Sequence, residues 1–312
     1  MRLGCRLSFS KIEWIKLMSV AAKLEKNLAG DKENILAAGG RRISFPRRPL
    51  TMGGLDLGGS SHSGGGPLDA GRALSLAAEM VSGGADIVEV RGGGACPGPA
   101  AGGEEEWERI APFVQGFRDL AAAPRDEGQV FPPLLSVSTW WAGSAARALQ
   151  AGCDLLCGME APAEGLLARL CAEHGAALLI VPPAGGLCRE THRETASDLA
   201  LFFESRIALA MSAGLPREAT ILSLGADFSS LSPGSLRICR ELTQLSSLAR
   251  PILVPLSSMS APGGMSDIGT PAGSDAGEVA CIVAGALRGA SIFRVRDVGA
   301  AWFALRTLEV VG

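Results

Sequence analysis

The sequence predicts an α/β protein of the (β/α)8 barrel class, on three observations. Beyond residue 50, short apolar runs alternate with longer amphipathic ones. There are eight short runs in about 260 residues, the arithmetic of an eight-stranded barrel. The runs are continuous rather than alternating, as parallel strands covered on both faces require.

The eight runs, in order, are TMGGLDL (51–57), ADIVEV (85–90), LLSVS (134–138), CDLLCG (153–158), AALLIVP (176–182), ATILSL (219–224), PILVPL (251–256) and ASIFRV (290–295). Helix-like segments separate them at 69–84, 104–123, 143–152, 163–175, 196–214 and 234–249. In ALSLAAEMV (73–81) the apolar positions recur at three and four, the spacing of a helix packed on one side. Gly175 and Gly214 stand where left-handed residues end helices. The rival is a doubly wound open sheet. It calls for a G-x-G-x-x-G turn after the first strand, and LGGSSHSGGG (57–66) lacks that spacing. In a barrel, chemistry sits at the C-terminal strand ends and the loops that follow them.

Composition narrows the function. Formal net charge is −3, which gives no general attraction to nucleic acid or an acidic membrane. Tyrosine is absent and aromatic residues are 5%, too few for a base-stacking surface. No apolar run reaches the ~18–20 residues of a membrane span. Residues 1–40 read as an N-terminal extension with a weak amphipathic helix around Ile12–Leu28 and no continuous apolar signal core. The barrel is assigned to 41–312, and a cytoplasmic location follows. The eight cysteines form no C-x-x-C pair and show no zinc spacing, so they read as reduced thiols.

At the strand ends the sequence resembles the dihydropteroate synthase family over roughly residues 40–310. MGGLDLGGSSHSGGG (52–66) lies without a gap on the family's M-G-I-L-N-V-T-P-D-S-F-S-D-G-G. GADIVEVRGGGACPG (84–98) lies on G-A-D-I-I-D-V-G-G-E-S-T-R-P-G. PILVPLSSMS and GASIFRVRDV resemble P-V-L-V-G-L-S-R-K-S and G-A-x-I-V-R-V-H-D-V. The resemblance implies a pterin-binding barrel of folate biosynthesis. Its family joins hydroxymethyl-dihydropterin pyrophosphate to p-aminobenzoate and releases pyrophosphate, with Mg²⁺ as the implied cation.

The same resemblance implies that the chemical set is largely replaced. The family's phosphate- and metal-associated Asn is Asp56, the weak candidate metal ligand here. The Asp of the second strand is Glu89. The pterin-gripping Asp, Asn and Asp of the third, fourth and sixth strands are Ser138, Cys157 and Ser223. The Arg-Lys pair is Ser258 and Met259, and the S-T-R of the second loop is Gly94, Ala95 and Cys96. Arg294 is kept and the family His is Arg296. Two residues apart on one strand, Arg294 and Arg296 share a face. They read either as a site for an anionic or phosphorylated small molecule, with Asp56 near it, or as part of an ion network with Asp297, Asp56 or Glu89.

Three functions follow in order. The first is a barrel with impaired or lost catalysis, forming a homodimer or a heterodimer with an active relative. The second is an altered enzyme for an anionic ligand. The third is an active synthase. Outside this set, His62 and His192 read as loop residues facing solvent, and His174 as a helix C-terminal partner. The acids of GEEEWER (103–109) read as complements to a helix dipole. Trp140 and Trp141 either flank a ligand or cover the barrel mouth.

Overall fold

A computed structural model describes residues 34–45, 48–58, 68–93, 103–122, 131–158, 165–182, 195–225, 233–256 and 275–311. The candidates His62, Gly94, Ala95, Cys96, His192, Ser258 and Met259 lie outside the described residues, as does Ile12–Leu28.

A two-stranded antiparallel hairpin comes first, β1 (Asn34–Ala38) and β2 (Arg41–Phe45). Eight parallel strands then close into a barrel: β3 (Leu50–Asp56), β4 (Ile87–Arg91), β5 (Leu134–Thr139), β6 (Leu155–Gly158), β7 (Ala177–Ile180), β8 (Thr220–Ser223), β9 (Ile252–Pro255) and β10 (Ile292–Val295). Each expected apolar run is a barrel strand, and β10 pairs with both β3 and β9 to complete the ring. The helices are α1 (Ala70–Ser82), α2 (Gly103–Ala122), α3 (Ala142–Gln150), α4 (Leu166–His174), α5 (Ala196–Ser212), α6 (Pro233–Glu241), α7 (Asp275–Ala286) and α8 (Val298–Val311). The segment expected as one helix over 234–249 divides into α6 and a 3-10 turn at Leu242–Leu248.

Side chains sort by strand period. Val88, Val90, Leu135, Val137, Leu156, Leu222, Val254 and Phe293 point outward and pack with the helices in one core. Met52, Ile87, Leu134, Leu155, Leu179, Ile221, Leu253 and Ile292 point inward and pack with Leu36, Ile43 and Phe45 of the hairpin. The hairpin therefore plugs the N-terminal end of the barrel. The boundary placed at residue 40 falls in its turn, where Gly39 and Gly40 both take positive φ. Arg250 fastens the plug by donating to the carbonyls of Ile35, Glu218 and Thr220. Asp69 caps α1 by accepting from Arg72 N, and Thr195 with Asp198 forms a reciprocal cap at α5. Among the described residues, no helix is long and apolar enough to cross a membrane.

Candidate functional site

Going up the barrel from the plug, the inward side chains change from apolar to polar within two residues. On β4, Ile87 is followed by Glu89 and Arg91. On β5, Leu134 is followed by Ser136 and Ser138. On β10, Ile292 is followed by Arg294. Glu89 and Arg294 meet across the interior, Nη1 to Oε2 at 3.0 Å, with Glu89 1% exposed. The pair is held at one point only. Glu89 Oε1, Arg294 Nε and the Ser136 hydroxyl are buried without a hydrogen-bond partner among the described residues.

Asp56 ends β3 beside Arg91, to which it is registered, with Oδ2 3.9 Å from Nε. Its Oδ1 accepts from Gly58 N at 2.8 Å, so it also folds the start of its own loop. Ser138 and Cys157 are registered neighbours on β5 and β6 and are both buried. Burial, with the Glu89 charge added, pushes the Cys157 thiol up to about 12, so it stays protonated at neutral pH. The buried Ser223 hydroxyl accepts from Gly225 N at 3.3 Å.

Arg296 does not join Arg294. It lies just past β10, and its backbone N–H and Nε donate to the two oxygens of the buried Glu278 on α7, at 3.0 and 3.3 Å. Asp297 accepts from Ala300 N at 2.9 Å at the start of α8. Of the three acids proposed to neutralise Arg294, Glu89 is the one in contact. The structure thus brings Glu89, Ser138, Cys157 and Arg294 into one inward layer, leaves Asp56 at its rim, and ties Arg296 to a helix.

Four participants were not foreseen. Arg91 and Ser136 carry a signal in retrospect, since they continue the inward parity of Glu89 and Ser138. Glu278 gave none, because its contact is made through the tertiary fold. Glu106, by its position in the sequence a dipole acid, is 2% exposed and accepts a hydrogen bond from the Thr139 hydroxyl at the end of β5. Thr139 Oγ1 in turn accepts from Trp141 N at 3.0 Å. Burial raises the Glu106 carboxyl above the ordinary glutamate value, against the hydrogen bond from Thr139. Arg109, one turn on, donates to Gly92 O, which fastens the loop after β4 to α2.

The profile of the pterin binding enzyme family matches residues 52–296. This chain belongs to that family. The dihydropteroate synthase of Synechocystis sp. is 29% identical over 272 residues, covering 85% of this chain and 91% of its own. A protein of Mycobacterium leprae called inactive dihydropteroate synthase 2 is 28% identical over 248 residues, covering 77% of this chain and 81% of its own. The Xanthomonas albilineans dihydropteroate synthase solved with 4-aminobenzoic acid superposes with a TM-score of 0.72. It covers 90% of this chain and 98% of its own at 23% identity, a likeness of fold. The protein is thus a member of the dihydropteroate synthase family on a (β/α)8 barrel.

Within that family the described donors do not fit a Mg²⁺ held by the protein. Mg²⁺ takes one or two carboxylates along with phosphate oxygens, and Asp56 is already engaged by Gly58 N and stands beside Arg91. Glu89 pairs through Oε2 with Arg294, a fixed cation that disfavours a second one at the same carboxylate. Among the described residues no three His, Cys, Asp or Glu side chains are grouped to hold a metal.

Proposed function

We propose that this chain is a dihydropteroate synthase barrel in which the family condensation is impaired or lost. The observation that carries the reading is the inward layer itself. Where family resemblance calls for an Asp, an Asn and an Asp against the pterin ring, Ser138, Cys157 and Ser223 stand buried. Each charge-assisted hydrogen bond to a buried ring is worth about 1.5–3 kcal/mol. Losing the two carboxylates and the amide corresponds to about three to six orders of magnitude in affinity. The rest of the sequence offers no replacement lysine or asparagine, since no lysine follows Lys32 and no asparagine follows Asn34. The M. leprae relative called inactive fits the same reading.

The test is direct. The purified full chain is incubated with hydroxymethyl-dihydropterin pyrophosphate, p-aminobenzoate and Mg²⁺ beside an active synthase, and dihydropteroate is measured. The expected outcome is no product above the enzyme-free control and no rise in thermal midpoint with the pterin pyrophosphate. Turnover within a hundredfold of the control synthase would overturn it. Light scattering on the same sample reads whether the chain forms the dimer expected of it.

A further inference from the structure

On its outer side, helix α5 carries an apolar stripe that the described barrel leaves open. Leu201 is 68% exposed and Met211 is 49% exposed. They stand about 15 Å apart along the axis, with exposed Ser205, Ala208 and Ser212 on the same face. Both serines spend their hydroxyl protons on the helix itself, Ser205 on Phe202 O and Ser212 on Leu209 O. The stripe therefore presents mainly hydrocarbon to whatever lies against it.

The chain that precedes the described residues enters beside this stripe. β1 starts at Asn34, and the carbonyls of Ile35 and Glu218 share the Arg250 Nη2 group, at 2.6 and 2.9 Å. Glu218 belongs to the 3-10 turn Arg217–Ala219, which follows soon after α5. Asn34 thus stands at the C-terminal, Met211 end of α5. The linking residues 29–33 span at most about 20 Å, enough to lay the segment before them along the helix.

That segment has the pattern such a face calls for. In Ile12–Leu28, Trp14, Leu17, Ala21, Leu24 and Leu28 recur at three and four, with Lys16 and Lys23 on the opposite side of the expected helix. As a helix it would be about 25 Å long, the length of α5. A helix this short is marginal in water by itself and depends on a surface for its apolar face. The exposed Phe303 and Val310 of α8 lie elsewhere on the ring. That helix packs on β3 and α7, whereas β1 lies against β7 and β8.

We infer that residues 12–28 dock as a helix on the Leu201–Met211 face of α5 in the same chain. The two helices run in the same direction, with Leu24 and Leu28 against Met211 and Leu17 and Met18 against Leu201. The extension is then part of the folded unit, and it closes this helix face to other partners.

Hydrogen–deuterium exchange on the full chain tests the docking. Amides of residues 14–28 are expected to exchange at least about 10-fold more slowly than an unstructured chain. Leu201→Asp with Met211→Asp, both at exposed positions, should return them to the unstructured rate and leave strands β3 to β10 as protected as before. Phe303→Asp with Val310→Asp on α8 should leave the segment protected. Dilution by about 100-fold should change nothing, because mass action weakens a contact between chains but not one within a chain. Leu24→Asp with Leu28→Asp reads the other side of the contact without touching the barrel core. Peroxide oxidation of Met211, followed by mass spectrometry, should then quicken about 3-fold or more as the side chain is uncovered. Exchange of 14–28 at the unstructured rate in the parent would overturn the proposal. So would protection that survives the α5 pair, protection lost with the α8 pair or on dilution, or a Met211 oxidation rate unmoved by the segment variant.

Discussion

Among the described residues two arginine–carboxylate pairs are buried in this barrel, one near each end, and they are built differently. Near the N-terminal end, Arg48 Nη2 reaches both oxygens of Asp86 at 2.9 and 3.1 Å. Asp86 Oδ2 also accepts from Thr51 N at 2.8 Å, and the Thr51 hydroxyl beside it at 3.2 Å gives its proton to Gly84 O at 2.6 Å. The spare Arg48 Nη1 donates to Pro49 O. Near the C-terminal end, Arg294 and Glu89 share one contact, and among the described residues an oxygen and a nitrogen are left without a partner. Both pairs have given up hydration, which costs several kcal/mol per ion. The first recovers it through a closed network that also pins β3 to the turn before β4. The second recovers it in part. The lower pair belongs to the scaffold, and the upper pair keeps bonding capacity in reserve at the end where barrels do their chemistry.

The largest effect expected of any single change is at the lower pair. Asp86→Ala strands the Arg48 guanidinium and the Thr51 N–H in a dry environment, at a cost of about 3–5 kcal/mol. Urea unfolding should show a much lower midpoint or no folded baseline. A midpoint within 1 kcal/mol of the parent would mean that water reaches this pair, and the contrast between the ends would collapse.

A double replacement is the sharper probe. Glu89→Leu with Arg294→Met exchanges the upper pair for apolar groups and also removes its unmet atoms, so stability should be unchanged or raised by about 1–4 kcal/mol. Asp86→Leu with Arg48→Met should destabilise, because Thr51 N then has no acceptor. Equal effects of the two double variants in denaturant titrations would show that the difference in hydrogen bonding has no energetic weight.

The same contrast explains what the sequence discloses. All eight barrel strands were legible because β-branched and leucine-rich runs buried on both faces leave a continuous apolar signature, and the glycines and caps between them mark the helix ends. The plug was not. N-I-L-A-A-G-G-R-R-I-S-F does carry a Gly-Gly turn between two short apolar stretches, but the charges around it masked the alternation. At the upper end, the exchange of acids and an amide for Ser138, Cys157 and Ser223 was legible by resemblance, since it depends on position along each strand. The pairings were only partly so. Glu89 stood among three candidate partners for Arg294, whereas the union of Arg296 with Glu278 joins a strand end to the preceding helix and has no trace in spacing. Arg48 and Asp86, 38 residues apart, went unread for the same reason.

The smallest expected effect lies at Glu106, between these extremes: buried like Glu89, but facing a hydroxyl instead of a cation. Thr139 Oγ1 accepts from Trp141 N, so its single proton goes to Glu106, which must act as acceptor. Burial raises the folded carboxyl above its unfolded value, so the native state holds the proton more tightly than the unfolded chain does. The stabilisation from this group is therefore full on the acid side and is lost as pH rises from the ordinary glutamate value through the raised one. Glu106→Gln keeps an acceptor for Thr139 and never ionises. Its urea midpoint should exceed the parent's above that window, and the two should converge below it. Parallel profiles across the pH range, or a variant less stable at neutral pH, would mean that the Glu106 charge is compensated by Arg109 and the first turn of α2, and that a buried acid needs no cationic partner at this rim.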